Sequence, residues 1–156
     1  MGEPNMDMVQ TIAEAIWDKK GFEVTAYAVG EVLDYTDVMV IASAGSDRQT
    51  LAIAASVEDV MREKFGEKPH GREGRSNARW ILLDFTDVVV HIFHRPVRDY
   101  YELDRLYRDT ERLELDEPEW VHSFGDPASD VASISDYDSE SWADASGDEG
   151  DSEGLD

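Results

Sequence analysis

The chain has 156 residues, with 36 acidic against 14 basic side chains, no cysteine and a formal net charge of −22. This length fits one domain with an appendage. The lack of cysteine excludes disulfides and thiolate metal sites. The acidic balance argues against direct binding to nucleic-acid phosphates, whose affinity comes chiefly from Lys and Arg. It favours basic protein partners instead.

The charge is concentrated towards the C-terminus. Residues 118–156 contain 12 acids and no Lys or Arg, whereas residues 1–117 carry 24 acids against 14 bases. The first of these segments is rich in Ser, Asp and Gly, which predicts a disordered acidic tail. We expect residues 1–7 to be a flexible N-terminus and residues 8–117 to form one domain. No run reaches the roughly 20 apolar residues of a membrane span, so we expect a cytoplasmic protein without membrane contact.

The first half of the chain predicts two helices and two strands. Residues 8–20 have apolar side chains at helical spacing. Residues 22–29 alternate and predict a strand, and the continuous apolar run 38–43 predicts a strand buried on both faces. Residues 46–49 are Ser-Asp-Arg-Gln. A serine followed three residues later by a glutamine has the spacing of a capping box. They predict a helix over residues 47–65.

The sequence WILLDFTDVVVHIF, residues 80–93, predicts a β-hairpin. With Phe85-Thr86 as its loop, Asp84 would lie opposite Asp87, and Trp80 opposite His91. Side chains alternate along a strand, and paired residues share a face. One face would be aliphatic core, formed by Ile81, Leu83, Val88, Val90 and Ile92. The other would be mixed, formed by Trp80, Leu82, Asp84, Asp87, Val89, His91 and Phe93.

The segments around the hairpin complete the predicted fold. Residues 69–77 are polar and glycine-rich, which predicts a loop or a short edge strand. Arg95-Pro96 predicts a helix start, and apolar residues at helical spacing follow in residues 97–107. We therefore expect an α/β fold, with a mixed sheet of about five strands and helices packed on its aliphatic face.

The mixed face of the hairpin has three interpretations. In the first, Trp80, Leu82, Val89 and Phe93 lie under a helix, in a sheet that is covered on both faces. The second is a catalytic site. Asp84 and Asp87 would hold a metal in a nucleotidyltransferase, with Gly45-Ser46 as its phosphate-binding turn. However, these acids flank a turn, where Asp is common. Nucleotidyltransferases place their two acids at positions i and i+2 of one strand, and Asp84 and Asp87 do not have that spacing. We therefore expect no enzyme, metal or cofactor. Trp80 beside Asp84 instead has the character of an interface anchor, because tryptophan offers a large apolar area and one N–H.

Several motifs occur along the chain in one order. They are Asp34-Tyr35-Thr36-Asp37, Ser46-x-Arg48-Gln49, Glu73-Gly74, Trp80-x-Leu82-Leu83-Asp84, residues 87–93 (DVVVHIF) and Tyr101-x-Leu103-x-x-Leu106-Tyr107. In their order and spacing they resemble the ribosomal silencing factor family, also called RsfS or Iojap. The resemblance covers about residues 8–109, and the acidic tail lies outside it. The family usually has glycine at the hairpin position that Thr86 occupies here.

The resemblance implies a nucleotidyltransferase-like fold without transferase chemistry. It also implies binding to the large ribosomal subunit through the fourteenth large-subunit ribosomal protein, which would keep the small subunit from joining and so silence translation. Large-subunit assembly, the role of organellar relatives, is the alternative. A minor contact with ribosomal RNA, for which Arg48, Arg72, Arg75 and Arg79 are candidates, and a homodimer off the ribosome both remain open. The predicted partner-binding residues are Trp80, Leu82, Asp84, Asp87, His91, Phe93 and Tyr100.

Overall fold

The computed structural model describes residues 4–74 and 76–124. Its elements confirm the predicted α/β class, with helices flanking a mixed sheet of six strands. The strand that the sequence did not predict has only two residues and lies at the edge of the sheet, and two residues are too few for a periodic pattern. In chain order the elements are α1 (Met6–Asp18), β1 (Phe22–Ala28), β2 (Val38–Ala44), α2 (Asp47–Phe65), β3 (Gly71–Glu73), β4 (Trp80–Asp84), β5 (Val88–His94), α3 (Arg95–Tyr101), α4 (Leu103–Leu106), β6 (Glu111–Arg112) and a 3-10 turn (Glu119–Phe124).

The two most apolar strands lie at the centre of the sheet. The strand order is β3-β4-β5-β2-β1-β6, and β2 and β5 pair in parallel while the other neighbours are antiparallel. Every residue of β2 and of β5 is buried. A continuous apolar run suits such a strand because both of its faces are covered.

The main core lies between the sheet and the helices α1 and α2. The predicted aliphatic face of the hairpin is confirmed, because all five of its residues have no exposed surface and join this core. Both helices begin at side-chain caps: Asn5 accepts from the Met8 N–H, and Ser46 accepts from the Gln49 N–H. The helix residues buried in this core include Val9, Ile12, Ile16, Ile53, Val57 and Met61.

The hairpin register differs from the prediction. Trp80 lies opposite Phe93 and Asp84 opposite Val89, and the Phe85 N–H donates to the Val88 carbonyl, so the loop is Thr86-Asp87. The predicted pairing of Asp84 with Asp87 is therefore wrong. Thr86 has a φ of +76°, and the next N–H folds back to the Phe85 carbonyl in a tight γ-turn. Because the register is shifted by two residues, the side-chain alternation and both predicted faces survive.

Three further boundaries differ from the prediction. The helix predicted over residues 97–107 is split at Glu102, whose φ is +51°. The Asn5 cap starts α1 at Met6, inside the segment predicted to be flexible. The 3-10 turn lies inside the predicted tail, and the prediction of disorder for residues 125–156 falls outside the described residues.

Gly74 is the backbone position on which the placement of β4 depends. A Cβ there would lie 1.8 Å from the Trp80 carbonyl oxygen, and the φ of +89° also disfavours a side chain. We expect Gly74→Ala to lower the free energy of unfolding by roughly 3 kcal/mol or more, because backbone strain and steric overlap add. Urea denaturation followed by circular dichroism measures this loss.

Gly66→Ala is the matched control. Gly66 also has a positive φ, +66°, but a Cβ there would meet nothing within 4 Å. We expect this variant to lose only about 1 kcal/mol, from backbone strain alone. Equal losses in the two variants would contradict the steric role of Gly74.

Candidate protein interface

An aromatic patch forms where β4 meets α3, on the opposite side of the sheet from α1 and α2. We define it as Trp80, Leu82, Tyr100 and Tyr101. The Trp80 and Tyr101 rings are 4.8 Å apart between centroids, and the Tyr100 ring lies edge-on to Tyr101 at 5.1 Å. Tyr100 is 58% exposed, Tyr101 39%, and both Trp80 and Leu82 are half-buried. The chain thus presents a contiguous aromatic surface to its surroundings.

The residues beneath the patch hold Trp80 in one position. The Trp80 indole N–H donates to His91 Nδ1 at 2.9 Å, and the Phe93 ring lies 4.8 Å from the Trp80 ring. His91 is 6% exposed and Phe93 has no exposed surface. Two of the predicted partner-binding residues are therefore buried in this chain. They support Trp80 from below and do not face outwards, because a second layer of core covers β5 on this side of the sheet. The buried apolar residues of this layer are Tyr27, Val29, Met39, Ile41, Val89, Phe93 and Val97.

Burial lowers the pKa of His91 to about 4. A protonated ring would carry a charge in an apolar site, and its Nδ1 could no longer accept the hydrogen bond from Trp80. The neutral ring therefore keeps its proton on Nε2. This requirement links the position of Trp80 to the protonation of His91.

The stability of the fold should fall with acidification through His91. Its folded pKa lies below the unfolded value of 6.5, so the unfolded chain binds more protons and the free energy of unfolding falls as the pH drops from 6.5 to 4. We expect the wild type to lose about 2 kcal/mol more than His91→Gln between pH 7 and pH 5. Urea denaturation at the two pH values measures the difference, and parallel losses would contradict it.

The two aspartates of the hairpin do not share a site. Asp84 is half-buried and accepts the Thr86 N–H at 2.8 Å, which is the hydrogen bond of a turn. Asp87 is exposed in the loop, and its carbonyl accepts the N–H groups of Asp37 and Val38. Within residues 4–74 and 76–124 no group of three or more His, Asp or Glu side chains could hold a metal ion.

The proposed phosphate-binding turn is occupied by the chain itself. The Gly45 N–H donates to Gln49 Oε1 at 2.6 Å, while Ser46 Oγ accepts from the Gln49 N–H at 3.1 Å. The predicted capping box is thus confirmed, with the glutamine reaching one residue further back than in the usual arrangement. These contacts satisfy backbone N–H groups that a phosphate would need.

A buried arginine that sequence reasoning missed fixes α3 against the sheet. Arg98 is 7% exposed, and two of its nitrogens donate to the Asp104 carboxylate at 2.8 and 3.0 Å. The guanidinium also donates to the Glu23 carbonyl, Ser43 Oγ and Thr25 Oγ1. Burial raises the pKa of Asp104, but the hydrogen bonds and charge of Arg98 outweigh burial and hold that pKa below its usual value.

The strand side of this network depends on a bulge in β1. The pairing steps from Phe22 opposite Ser43 to Thr25 opposite Ile41, so β1 carries one extra residue. Glu23 in the bulge has a φ of +52°, and its carbonyl accepts from Arg98. A one-residue bulge and a pair of residues six positions apart leave no periodic signal, which explains why the network was not predicted.

Loss of Arg98 should destabilise the fold much more than loss of its neighbour Arg95. Arg98→Met would leave the half-buried Asp104 without its cation, for a loss of roughly 3 kcal/mol. Arg95 is 28% exposed and pairs with Glu23 and Asp99 near the surface, so we expect Arg95→Met to lose about 1 kcal/mol or less. Thermal and urea unfolding compare the two, and similar losses would contradict a structural role specific to Arg98.

Additional exposed apolar residues lie in the segments that border the second layer of core. Leu33, Leu103 and Tyr107 pack against this layer together with Trp80 and Leu82. Val32 and Leu106, which adjoin Leu33 and Tyr107, are 60% and 70% exposed, and Tyr35, two residues after Leu33, is 60% exposed. None of these three is among the predicted partner-binding residues. For Val32 and Leu106, periodicity alone does not show which of two adjacent apolar residues faces outwards.

Comparison with known proteins places this fold in one family. The family described as "Ribosomal silencing factor during starvation" matches residues 3–144. This chain belongs to the ribosomal silencing factor family. Ribosomal silencing factors of Halalkalibacterium halodurans and Bacillus subtilis are 36% and 35% identical to it, over 72% and 70% of this chain and 95% and 92% of theirs. The family resemblance found in the sequence is confirmed.

Related and solved proteins extend the family match. The chloroplastic Iojap protein of Arabidopsis thaliana is 33% identical over 67% of this chain and 43% of its own length. A crystal structure from Chromobacterium violaceum has a TM-score of 0.63 at 30% identity and covers 73% of this chain and 89% of that one. A second, from Bacillus halodurans, also has a TM-score of 0.63, at 35% identity, and covers 71% of this chain and 100% of that one.

Among the described residues, every helix is too short or too polar to cross a membrane.

Proposed function

We propose that this ribosomal silencing factor binds the large ribosomal subunit, blocks its association with the small subunit and so represses translation. Family membership supports a ribosomal role. The observation that carries the proposal to particular residues is the aromatic patch, in which a half-buried tryptophan is held beneath two exposed tyrosines. The activity we infer is steric, and it takes place in the cytoplasm.

The patch has the chemistry of a protein-binding surface. Trp and Tyr are the residues most enriched among those that dominate binding energy, because they bury a large area and have few rotatable bonds. Trp80 is fixed by its hydrogen bond to His91 and its contact with Phe93, so little side-chain entropy is lost on binding. The buried residues of the predicted set therefore support docking indirectly, and Trp80, Leu82 and Tyr100 provide its surface.

The partner we infer is a basic ribosomal protein, the fourteenth of the large subunit. Asp84 lies on the same face of β4 as Trp80 and Leu82 and is half-buried, so its carboxylate is available to a lysine or arginine at the edge of the patch. A charge at the rim of an interface steers encounter and fixes the register of docking. The negative charge of the chain makes ribosomal RNA a minor contact by comparison.

The arginines predicted to contact RNA differ in their availability. Arg72 Nε donates to the Glu58 carboxylate at 3.0 Å, which is an ordinary surface pair. Arg48 is exposed at the start of α2 and stays a candidate for an RNA contact. Arg75 lies outside the described residues.

Loss of Trp80 together with reversal of the Asp84 charge should abolish subunit binding. We expect Trp80→Ala/Asp84→Lys to weaken co-sedimentation with purified large subunits at least about 30-fold, since residues that dominate an interface contribute 2 kcal/mol or more each. The same variant should no longer delay the joining of small subunits, measured on sucrose gradients. Circular dichroism at the binding temperature checks that the fold persists without the Trp80 ring.

A matched variant on the other side of the sheet gives the control. Leu51→Ala/Asp59→Lys removes a 38%-exposed apolar side chain and reverses one charge on α2, away from the aromatic patch. We expect wild-type binding from this variant. Wild-type affinity in Trp80→Ala/Asp84→Lys would show that the interface lies elsewhere. Subunit binding without any effect on joining would disprove the steric activity.

A further inference from the structure

A second candidate surface lies on the side of the molecule that carries α1 and α2. It is a groove of about 740 Å³ between these helices and the segment that enters the 3-10 turn. Ala15, Ser56 and Val60 are among the residues that line it, and the Ser56 hydroxyl donates to the Ala15 carbonyl at 3.0 Å. This hydrogen bond joins the two helices beneath the groove.

Pro118 and Trp120 form the third wall of the groove. The chain leading to them is fastened to the domain: the Gln10 side chain and the Asp116 backbone exchange two hydrogen bonds of 3.0 Å, and Leu113 and Leu115 pack on the main core. Trp120 is nevertheless 45% exposed. The wall is therefore built by the fold and still presents apolar surface.

The rim of the groove is acidic. Glu14, Asp18 and Glu63 are all exposed there. Among the described residues of the lining, Lys64 is the one basic residue, and its ammonium lies 3.5 Å from the Asp7 carboxylate and donates to Thr11 Oγ1. Glu63 is likewise paired, with Arg62 at 3.8 Å, so Glu14 and Asp18 are the carboxylates that set the local potential.

The sequence that follows the groove residues is also acidic. Residues 125–156 contain 11 acids and no Lys or Arg, and they follow Phe124, four residues after Trp120 in the sequence. An acidic field around an apolar cleft attracts a ligand that combines positive charge with an apolar anchor.

We propose that this groove is a second docking surface, for a segment of another protein that is rich in Lys and Arg and carries apolar side chains on one face. The apolar side chains would enter between Val60 and Trp120, and the basic ones would meet the acidic rim. Charge complementarity selects this occupant: the chain's own tail has the same sign as the rim, and so does a nucleic acid. The proposal is independent of the docking role of Trp80.

The test uses the full chain, labelled with ¹⁵N, and a synthetic peptide of roughly four helical turns. In this peptide leucines at spacings of three and four residues occupy one helical face and lysines occupy the other. A second peptide has serine for leucine, and a third has glutamate for lysine. We expect the first peptide to shift the amide resonances of Glu14, Asp18, Val60 and Trp120. The serine and glutamate peptides should bind at least about tenfold more weakly, because each lacks one of the two complementary features.

Two charge-matched variants decide where the peptide binds. Glu14→Lys/Asp18→Lys changes the groove rim, whereas Glu31→Lys/Asp34→Lys makes the same charge change on the exposed loop between β1 and β2. The first should weaken binding about tenfold and the second less than about twofold. Equal weakening would show attraction to net charge alone and overturn the proposal. Peptide-induced shifts centred on Trp80 would also overturn the proposal. Deletion of residues 125–156 is examined without peptide. Changes in the groove resonances on this deletion would assign the groove to the tail and overturn the proposal as well.

Discussion

The buried guanidinium of Arg98 makes the interactions on which the side of the molecule that carries the aromatic patch depends. It joins α3 to the bulge in β1, to the hydroxyls of β1 and β2, and to Asp104 after the chain has reversed direction. A buried charge is tolerated only when its hydrogen bonds are satisfied, and here five contacts from three nitrogens do so. The break at Glu102 is a consequence, because a continuous helix would carry Asp104 away from Arg98.

The aromatic patch follows from this arrangement. Tyr100 and Tyr101 stand at the end of α3, and the fixed position of that helix brings the Tyr101 ring against Trp80. From below, Trp80 is held by a hydrogen bond whose acceptor must stay neutral. The hydrogen bond to His91 and the contact with the Tyr101 ring thus hold Trp80 in the same rotamer. A surface of this kind binds with a small loss of conformational entropy, which suits the steric activity that we propose.

The two sides of the sheet differ in the size of their core and in the character of their surface. The side with α1 and α2 contains the larger core, and its surface is acidic around a groove walled by the C-terminal segment. The other side contains a smaller core beneath aromatic side chains that remain exposed. Parallel pairing of β2 and β5 makes this division possible, since two strands buried on both faces separate two independent layers.

The sequence determined the α/β class, the bounds of α2, the aliphatic face of the hairpin and the family. Each of these rests on local periodicity, on caps or on ordered motifs, and side-chain alternation is unaffected by a register shift of two residues. Tertiary structure decided the rest. The true loop at Thr86-Asp87 depends on a positive φ that threonine adopts only under constraint, and the split of the last helix depends on Arg98. The burial of His91 and Phe93 likewise follows from the layer packed above them, because the exposure of a residue on a strand is fixed by what covers the sheet.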